Sequence, residues 1–267
     1  MRPMSEAPRH FVRVERDGTI AWAEALDGRL EFLDAAPWAG GRPTGTNDEA
    51  ARWRLLAPAE PTKIVCVGLN YRAHVAESAT VIPGGGEAPT EPLLFLKPPS
   101  ALIGSGTPIV YPPGVTRLDP EGELAVIVGR RARRVPPERA LDFVAGLSAF
   151  NDVSARNYQR QDGQWTRAKG FDTFAPLGPA LVMGLSPAGR RVECRVNGEH
   201  RQRGNTDDLL FPVPILIAHI SSIMTLEPGD VIATGTPAGV APVTPGDRIE
   251  IDIDGIGVLA NPVEASS

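Results

Sequence analysis

Residues 118–129 read LDPEGELAVIVG, an acidic beginning followed by a run of strand-forming apolar residues. Alternate residues of a β-strand point to the same face, so Asp119, Glu121 and Glu123 share one side. The residues after them are apolar on both faces, which predicts a strand that is buried on both sides. Carboxylates directed toward an interior repel one another and lose hydration. This segment therefore requires a cation or hydrogen-bond donors beside its acidic end.

The composition excludes several classes of partner. The chain has 267 residues and a formal net charge of −5. It therefore lacks the excess positive charge that binding to nucleic acid or to an anionic membrane requires. Cys66 and Cys194 lie far apart, so neither a disulfide framework nor a zinc site is indicated. No stretch approaches the roughly 18 apolar residues of a spanning helix, and the N-terminus lacks the apolar core of a signal peptide. We expect a soluble, cytoplasmic protein.

The chain divides into two parts of different character. Two Asp-Gly pairs separate short apolar runs within residues 11–34, which predicts antiparallel strands joined by tight hairpins. Residues 56–62 read LAPAEPT and have the composition of a linker. The sequence thus predicts a small N-terminal domain with its linker over residues 1–60 and a larger domain over residues 61–267.

The sequence of the larger domain predicts many short strands and few helices. The chain contains 28 glycines and 27 prolines, which favours strands and turns over long helices. The predicted fold is α+β and strand-dominated, a mixed β-roll or barrel-like sheet with a few helices on its outside. The individual predictions are strands in residues 63–69 and 122–129, a helix over 70–78, a mobile loop over 84–89, a helix over 136–146 that ends at Gly146, hairpins at Asn197-Gly198 and Asp254-Gly255, and a packed helix over 212–226.

The carboxylates of the opening segment are candidate metal ligands. Glu121 and Glu123 can converge on one ion, and hard divalent ions prefer such oxygen ligands. Asp152 in the segment NDVSARN follows another apolar run and is a candidate third ligand, with Asp119 as its rival. The alternative is a structural pair of glutamates held by arginines such as Arg117 or Arg156.

A histidine and a glutamate form a second candidate pair. His74 and Glu77 are three residues apart in a predicted helix, so they lie on one face. A carboxylate beside an imidazole fixes its tautomer and raises its basicity, as a base that activates water requires. The alternative is a surface pair without a catalytic role.

Lysine is scarce, because only three of the 27 basic residues are lysines. Lys97 follows an apolar run in LLFLKPPS, and Lys169 lies in WTRAKGFDTFAPLGP. A cation at the end of a buried strand can hold a substrate carboxylate or a developing enolate. Each lysine can equally pair with a neighbouring acid.

Taken in order, these segments resemble the fumarylacetoacetate hydrolase family. The likeness extends from residue 63 to residue 263. It is closest to the group that contains acylpyruvases and 2-hydroxyhepta-2,4-diene-1,7-dioate isomerases. The resemblance implies a mixed β-roll catalytic domain, a smaller N-terminal domain and usually a homodimer. The segments that carry it are GLNYRAH, LFLKPPSALIG, DPEGELAVIVG, NDVSARN, WTRAKGFDTFAPLGP, VNGE, PGDVIATGTPAGV and GDRIEIDIDGIG.

The resemblance also implies a chemistry and a set of site residues. Family members use Mg²⁺ or Mn²⁺, which Ca²⁺ can replace in crystals, to bind 2-oxo acids or 1,3-dicarbonyl compounds. They cleave a C–C bond, decarboxylate or tautomerise these substrates. One departure is Asn157, where many relatives have aspartate. By motif, the metal ligands are Glu121, Glu123 and Asp152; the dyad that activates water is His74 and Glu77; the lysine facing the substrate is Lys169; and the substrate-binding positions are Gly235, Thr236, Arg72, Lys97 and Asp172.

Three hypotheses about function follow. The first is a hydrolase that cleaves a C–C bond in an acylpyruvate or fumarylpyruvate type of substrate. The second is an isomerase or decarboxylase in aromatic catabolism, acting on 2-hydroxyhepta-2,4-dienedioate or oxaloacetate. The third is a binding protein with a vestigial site, which the intact set of candidate catalytic residues disfavours.

Overall fold

The computed structural model describes residues 7–78 and 87–266. Within them, the α-helices are α1 (Arg72–Ser78), α2 (Arg156–Asp162), α3 (Thr166–Lys169) and α4 (Val213–Ile223). The strands are β1 (Arg9–Arg16), β2 (Thr19–Leu26), β3 (Arg29–Leu33), β4 (Pro43–Glu49), β5 (Arg54–Leu56), β6 (Ile64–Gly68), β7 (Leu93–Lys97), β8 (Leu102–Ile103), β9 (Ile109–Tyr111), β10 (Leu118–Asp119), β11 (Gly122–Val128), β12 (Val144–Asn151), β13 (Ser154–Ala155), β14 (Ala175–Met183), β15 (Arg191–Val196), β16 (Glu199–Asn205), β17 (Val231–Ala233), β18 (Arg248–Ile253) and β19 (Gly257–Ala265).

The largest sheet contains twelve strands, and its main path runs β4-β3-β2-β1-β14-β12-β11-β17-β6-β7. Strand β11 lies between β12 and β17 and pairs antiparallel with both. Its Leu124 and Val126 belong to one buried apolar cluster, whereas Ala125 and Ile127 belong to another. The strand is therefore buried on both faces, as the sequence predicts. The strand-dominated α+β class is confirmed, and within the described residues the path is open at β4 and β7 and does not close into a barrel.

The N-terminal strands extend the same sheet. The predicted hairpins are confirmed, because Asp17 and Asp27 have φ angles of 50° and 46° and each precedes a glycine with positive φ. Two such residues in succession match the twist of a tight hairpin. Strand β1 pairs with β14, where Phe11 lies opposite Leu181. The division between residues 60 and 61 stays a prediction, since these strands share a sheet with the rest of the chain.

A second sheet lies against the acidic beginning of β11. It has five strands in the order β16-β15-β18-β19-β9. An added Cβ at Gly122 would lie 3.1 Å from Cδ1 of Ile251 in β18, so glycine permits the close approach of the two sheets here. The hairpins predicted at Asn197-Gly198 and Asp254-Gly255 and the packed helix α4 are confirmed.

The helix predicted over residues 136–146 is wrong. A 3₁₀ helix covers Pro137–Phe143, and the chain then enters β12, where Val144 pairs with Val128 of β11. Gly146 does not end a helix. An added Cβ there would lie 2.5 Å from the carbonyl oxygen of Val182, so this glycine allows β12 and β14 to approach. Tertiary strand pairing thus overrides the local helical pattern.

Two further predictions concern a loop and the membrane. The loop predicted over residues 84–89 lies partly outside the described residues, at 84–86. In the part of the chain that the structure describes, none of the helices has the length and apolar character needed to traverse a lipid bilayer.

Candidate metal centre and active site

Three carboxylates converge where β11 begins and β12 ends. Gly122 lies opposite Asn151 in this strand pair, and the backbone N–H of Asp152 donates to the carbonyl oxygen of Glu121 at 2.9 Å. This register brings Asp152 beside the two glutamates. One oxygen each from Glu121, Glu123 and Asp152 lies within 4.8 Å of the others, and all three residues are buried.

Two buried lysines accompany these acids. The Lys169 ammonium donates to Oε2 of Glu121 at 2.7 Å and to Oδ2 of Asp152 at 2.5 Å. The Lys97 ammonium donates to Oδ1 of Asp152 at 2.5 Å and to the carbonyl oxygen of Val153 at 3.0 Å. Both lysines therefore hold the acidic cluster, and Lys97 lies behind Asp152 rather than at a rim of the cavity.

A buried arginine decides between Asp119 and Asp152 as the third member of the cluster. Nε of Arg156 donates to Asp119 at 2.8 Å, and Nη2 donates to Oε1 of Glu121 at 2.5 Å. Arg117 donates to both oxygens of Asp119 at 2.9 Å. Both arginines thus hold Asp119. The alternative of glutamates held by arginines is met for Glu121, which Arg156 binds, whereas Glu123 accepts from the N–H of Gly235.

The two glutamates differ in their pKa because their neighbours differ. Burial alone would raise the pKa of Glu121, but Arg156 and Lys169 outweigh this effect and hold it well below its usual range. Burial and repulsion from Asp152 and Glu121 raise the pKa of Glu123 well above its usual range. Glu121 and Asp152 each contact a buried cation, whereas Glu123 accepts a hydrogen bond from the backbone N–H of Gly235. Glu123 is therefore the acid of the cluster whose charge is least compensated.

The chain holds Glu123 through a backbone turn. The N–H of Gly235 donates to Oε2 of Glu123 at 2.8 Å. Gly235 has a φ of 101°, and an added Cβ would lie 2.8 Å from Cβ of Asn70. Glycine is therefore required at this position. The next residue, Thr236, donates its hydroxyl to the carbonyl oxygen of Gly122 at 2.9 Å, which joins the turn to the beginning of β11.

His74 and Glu77 meet on α1. Nδ1 of His74 lies 3.1 Å from Oε2 of Glu77, and the N–H of Gly239 donates to both carboxylate oxygens at 3.2 Å. Burial would raise the pKa of Glu77, but the bonds from His74 and Gly239 lower it. A charged Glu77 fixes a proton on Nδ1 of His74, so Nε2 is left as the basic nitrogen.

These groups surround one cavity. The three carboxylates, His74, Lys169 and Thr236 line it, whereas Gly235 contributes through its N–H. Arg72 and Asp172 are exposed, and neither is among the described residues that line the cavity. Their assignment to the substrate, like the roles of the other site residues, stays a prediction. Sequence reasoning missed the lining residues Phe95, Gln159 and Trp165, although Phe95 lies two residues before Lys97 on the same strand.

The donor set fits a hard divalent ion. All three groups offer carboxylate oxygen, which Mg²⁺ and Mn²⁺ prefer over softer ligands. Glu123 lies in β11, Glu121 directly before that strand and Asp152 directly after β12, and each carboxylate accepts a hydrogen bond from a neighbouring group. The raised pKa of Glu123 marks the place where added positive charge would relieve the greatest repulsion.

Family comparisons agree with this arrangement. A family model described as the fumarylacetoacetate (FAA) hydrolase C-terminal domain matches residues 63–264. The chain belongs to the fumarylacetoacetate hydrolase family. A second model, described as Rv2993c-like, N-terminal, matches residues 9–58.

Members of the fumarylacetoacetate hydrolase family with different activities resemble this chain. It is 42% identical over 222 residues to human oxaloacetate tautomerase FAHD2A, covering 78% of this chain and 69% of the relative. A 2-hydroxyhepta-2,4-diene-1,7-dioate isomerase from Mycobacterium marinum has a TM-score of 0.88 and 38% identity, covering 97% and 99% of the two chains. A maleylpyruvate hydrolase from Sphingobium sp. SYK-6, solved with manganese (II) ion and pyruvate, has a TM-score of 0.78 and 30% identity, covering 97% and 100%.

The predicted family is thereby confirmed, and its members are enzymes. They include hydrolases, isomerases and tautomerases. A divalent metal is plausible for this chain on two grounds, the buried acidic triad and the manganese in the related hydrolase.

Proposed function

We propose that this protein is a divalent-metal-dependent hydrolase that cleaves a C–C bond in a 2-oxo acid or 1,3-dicarbonyl compound of the acylpyruvate type. One observation carries the proposal. His74, whose Nδ1 contacts Glu77, lines the same cavity as the acidic triad, so a base and a metal centre can act on one bound molecule. The manganese and pyruvate in the related maleylpyruvate hydrolase give independent support.

Glu121, Glu123 and Asp152 would hold Mg²⁺ or Mn²⁺, with Ca²⁺ as a replacement in crystals. When bound, the ion supplies Lewis-acid stabilisation of negative charge on a substrate oxygen. The acids of the centre already contact the buried cations Lys97, Arg156 and Lys169. An added divalent cation would therefore increase the positive charge of the centre, which suits a negatively charged substrate oxygen.

The protein's own groups divide the remaining work. Nε2 of His74, with Nδ1 held by Glu77, accepts a proton from water and so prepares it to attack the distal carbonyl carbon. Lys169 donates hydrogen bonds to the acidic cluster and lies on the cavity wall, where its positive charge stabilises the developing enolate. Cleavage of the C–C bond then releases the distal acyl group as a carboxylic acid and the other half as a 2-oxo acid.

A second candidate is tautomerisation or decarboxylation of a 2-oxo diacid. The 42% identity to human oxaloacetate tautomerase FAHD2A and the structural likeness to a dioate isomerase favour it. The same positive centre can stabilise an enolate formed by proton removal or by loss of carbon dioxide, without attack by water. His74 would then transfer a proton to or from a substrate carbon instead of accepting one from water.

Product identification separates these candidates. The metal-loaded protein is incubated with acetylpyruvate, fumarylpyruvate and oxaloacetate, and proton NMR identifies the products. Release of pyruvate from the first two supports the hydrolase. If oxaloacetate undergoes keto-enol exchange or loses carbon dioxide while acetylpyruvate and fumarylpyruvate stay intact, the result contradicts the hydrolase and supports the second candidate. Failure to convert any of them with Mg²⁺ or Mn²⁺ contradicts both.

Assembly and location belong to the same proposal. The family resemblance supports a homodimer, which light scattering coupled to gel filtration would test as twice the mass of one chain. The two free buried cysteines support a reducing compartment such as the cytoplasm. Fractionation of the source cells would test it.

A further inference from the structure

A second cavity adjoins the active-site cavity. The two share the side chains of Phe95, Gln159 and Trp165. The Phe95 and Trp165 rings pack edge to face with centroids 5.2 Å apart. On the active-site side, the Lys169 ammonium lies 4.9 Å from the centroid of Phe95. The two cavities therefore adjoin the same aromatic wall, and a molecule that passes this wall would reach from the acidic centre into the second cavity.

The second cavity has both apolar and polar lining residues. Leu93, Leu94 and the two aromatic rings form the apolar part, and Arg160 and Gln164 add polar groups. The Trp165 ring packs on the backbone of Gly68, where an added Cβ would lie 3.1 Å from its Cζ3. The leucine and aromatic side chains offer apolar surface to a hydrocarbon segment.

Arg160 is the one charged side chain among the described residues that line this cavity. It is exposed, and within the described residues it makes no hydrogen bond or ion pair, whereas its neighbour Arg167 pairs with Asp162. Arg156 and Arg160 are four residues apart on α2, so they lie on the same face about 6 Å apart along the helix axis. Arg156 contacts the acidic centre, and Arg160 therefore lies one turn farther along.

We infer that the second cavity is a subsite for the distal arm of the substrate and that Arg160 binds a carboxylate at the end of that arm. This inference rests on the proposed function, because it places the 2-oxo acid end at the acidic centre. It narrows the substrate class to 2-oxo diacids in which a short hydrocarbon segment separates the two ends. Arg160 is then a specificity-determining residue, since an arginine fork matches a carboxylate.

Binding measurements test the subsite without turnover. Isothermal titration calorimetry compares 2-oxoadipate with 2-oxohexanoate on the Mg²⁺-saturated protein, since these acids differ only in the distal carboxylate. We expect the wild type to bind 2-oxoadipate about tenfold more tightly, as one charge-assisted contact would give. R160Q should remove this preference and leave the affinity for 2-oxohexanoate within about twofold. The exposed side chain makes no contact that the fold requires.

R133Q is the matched control, because it removes an exposed arginine that does not line either cavity. It should keep the full preference. Equal binding of the two acids by the wild type, survival of the preference in R160Q, or its loss in R133Q would overturn the subsite. The turnover assay decides the proposed function separately. If the protein prefers 2-oxoadipate but converts none of the assayed substrates, the subsite is supported and the proposed hydrolase is contradicted.

Discussion

Ion pairs occur both in the N-terminal strands and where β11 begins and β12 ends, but the two regions differ in how far these pairs are exposed to water. On the N-terminal side, Arg52 and Glu49 form an ion pair with side chains 56% and 59% exposed. At the acidic centre, Lys169 and Asp152 pair with side chains 2% and 1% exposed. Water screens the first pair, whereas the second depends on protein partners alone.

The contrast indicates which charges are kept for stability and which for chemistry. Exposed pairs contribute little to the free energy of unfolding, and removing one partner leaves the other in water. A buried cluster costs desolvation of every member, and apolar packing would serve stability as well. The three buried acids that line one cavity are therefore best explained by a ligand that needs them.

Glu123→Gln should have the largest effect. The amide keeps the shape and can still accept the N–H of Gly235, but it removes a charged metal ligand. We expect kcat/KM for the metal-dependent reaction to fall about 1000-fold or more, equivalent to about 4 kcal/mol of transition-state stabilisation. Calorimetric titration with Mn²⁺ should show a parallel loss of metal affinity.

Glu49→Gln is the control for this experiment. It removes a glutamate charge in the exposed N-terminal pair and should leave kcat/KM and metal affinity unchanged. Undiminished activity in the Glu123 variant would contradict the metal assignment. Equal losses in both variants would show that net charge, rather than the acidic centre, governs the reaction.

Lys169→Ala should have the next largest effect, this time on stability. The change removes a buried cation that two carboxylates share. Breaking a buried ion pair in this way costs about 3–5 kcal/mol of unfolding free energy. Urea denaturation would measure the loss, and Mg²⁺ should recover part of it by replacing the positive charge. A variant as stable as the wild type without metal would contradict the shared-cation role.

The sequence predicts the parts of this fold that depend on local chemistry. The hairpins at Asp17-Gly18, Asp27-Gly28 and Asn197-Gly198 are correct because two successive residues with positive φ leave few alternatives. Strand parity brings Glu121 and Glu123 to one side. The residues alone leave Asp119 and Asp152 as rivals for the third position, and the family resemblance selects Asp152. Contacts between residues that are far apart in the sequence are not predicted in this way.

The errors arise where tertiary contacts decide the outcome. The helix predicted over 136–146 gives way to β12 because pairing with β11 begins at Val144. Phe95 and Trp165 become one wall only when the segment before α3 packs on β7. Arg156 is shared between Asp119 and Glu121 through the fold of β10, β11 and α2, and no sequence spacing specifies that division.

His74→Ala tests the chemistry beside the buried cluster. Loss of the general base should lower C–C hydrolysis about 100-fold, at the lower end of the usual contribution of such a group. Decarboxylation or keto-enol exchange of oxaloacetate should be spared if attack by water is the only step that needs His74. Pyruvate release and oxaloacetate loss would be followed on the same preparation. Equal losses of both would assign the histidine to binding or to a shared proton transfer.

Arg52→Ala should have the smallest effect and completes the contrast with Lys169. Its partner Glu49 is exposed and returns to water when the arginine is removed, and its more distant partner Asp48, at 3.7 Å, keeps the ion pair with Arg16. Exposed pairs three residues apart contribute less than about 0.5 kcal/mol, and 1 M salt should abolish even this difference in urea denaturation. The Lys169 loss should persist in the same salt, because the buried acids have no access to screening ions. A salt-insensitive loss of several kcal/mol in Arg52→Ala would contradict the division between the two regions.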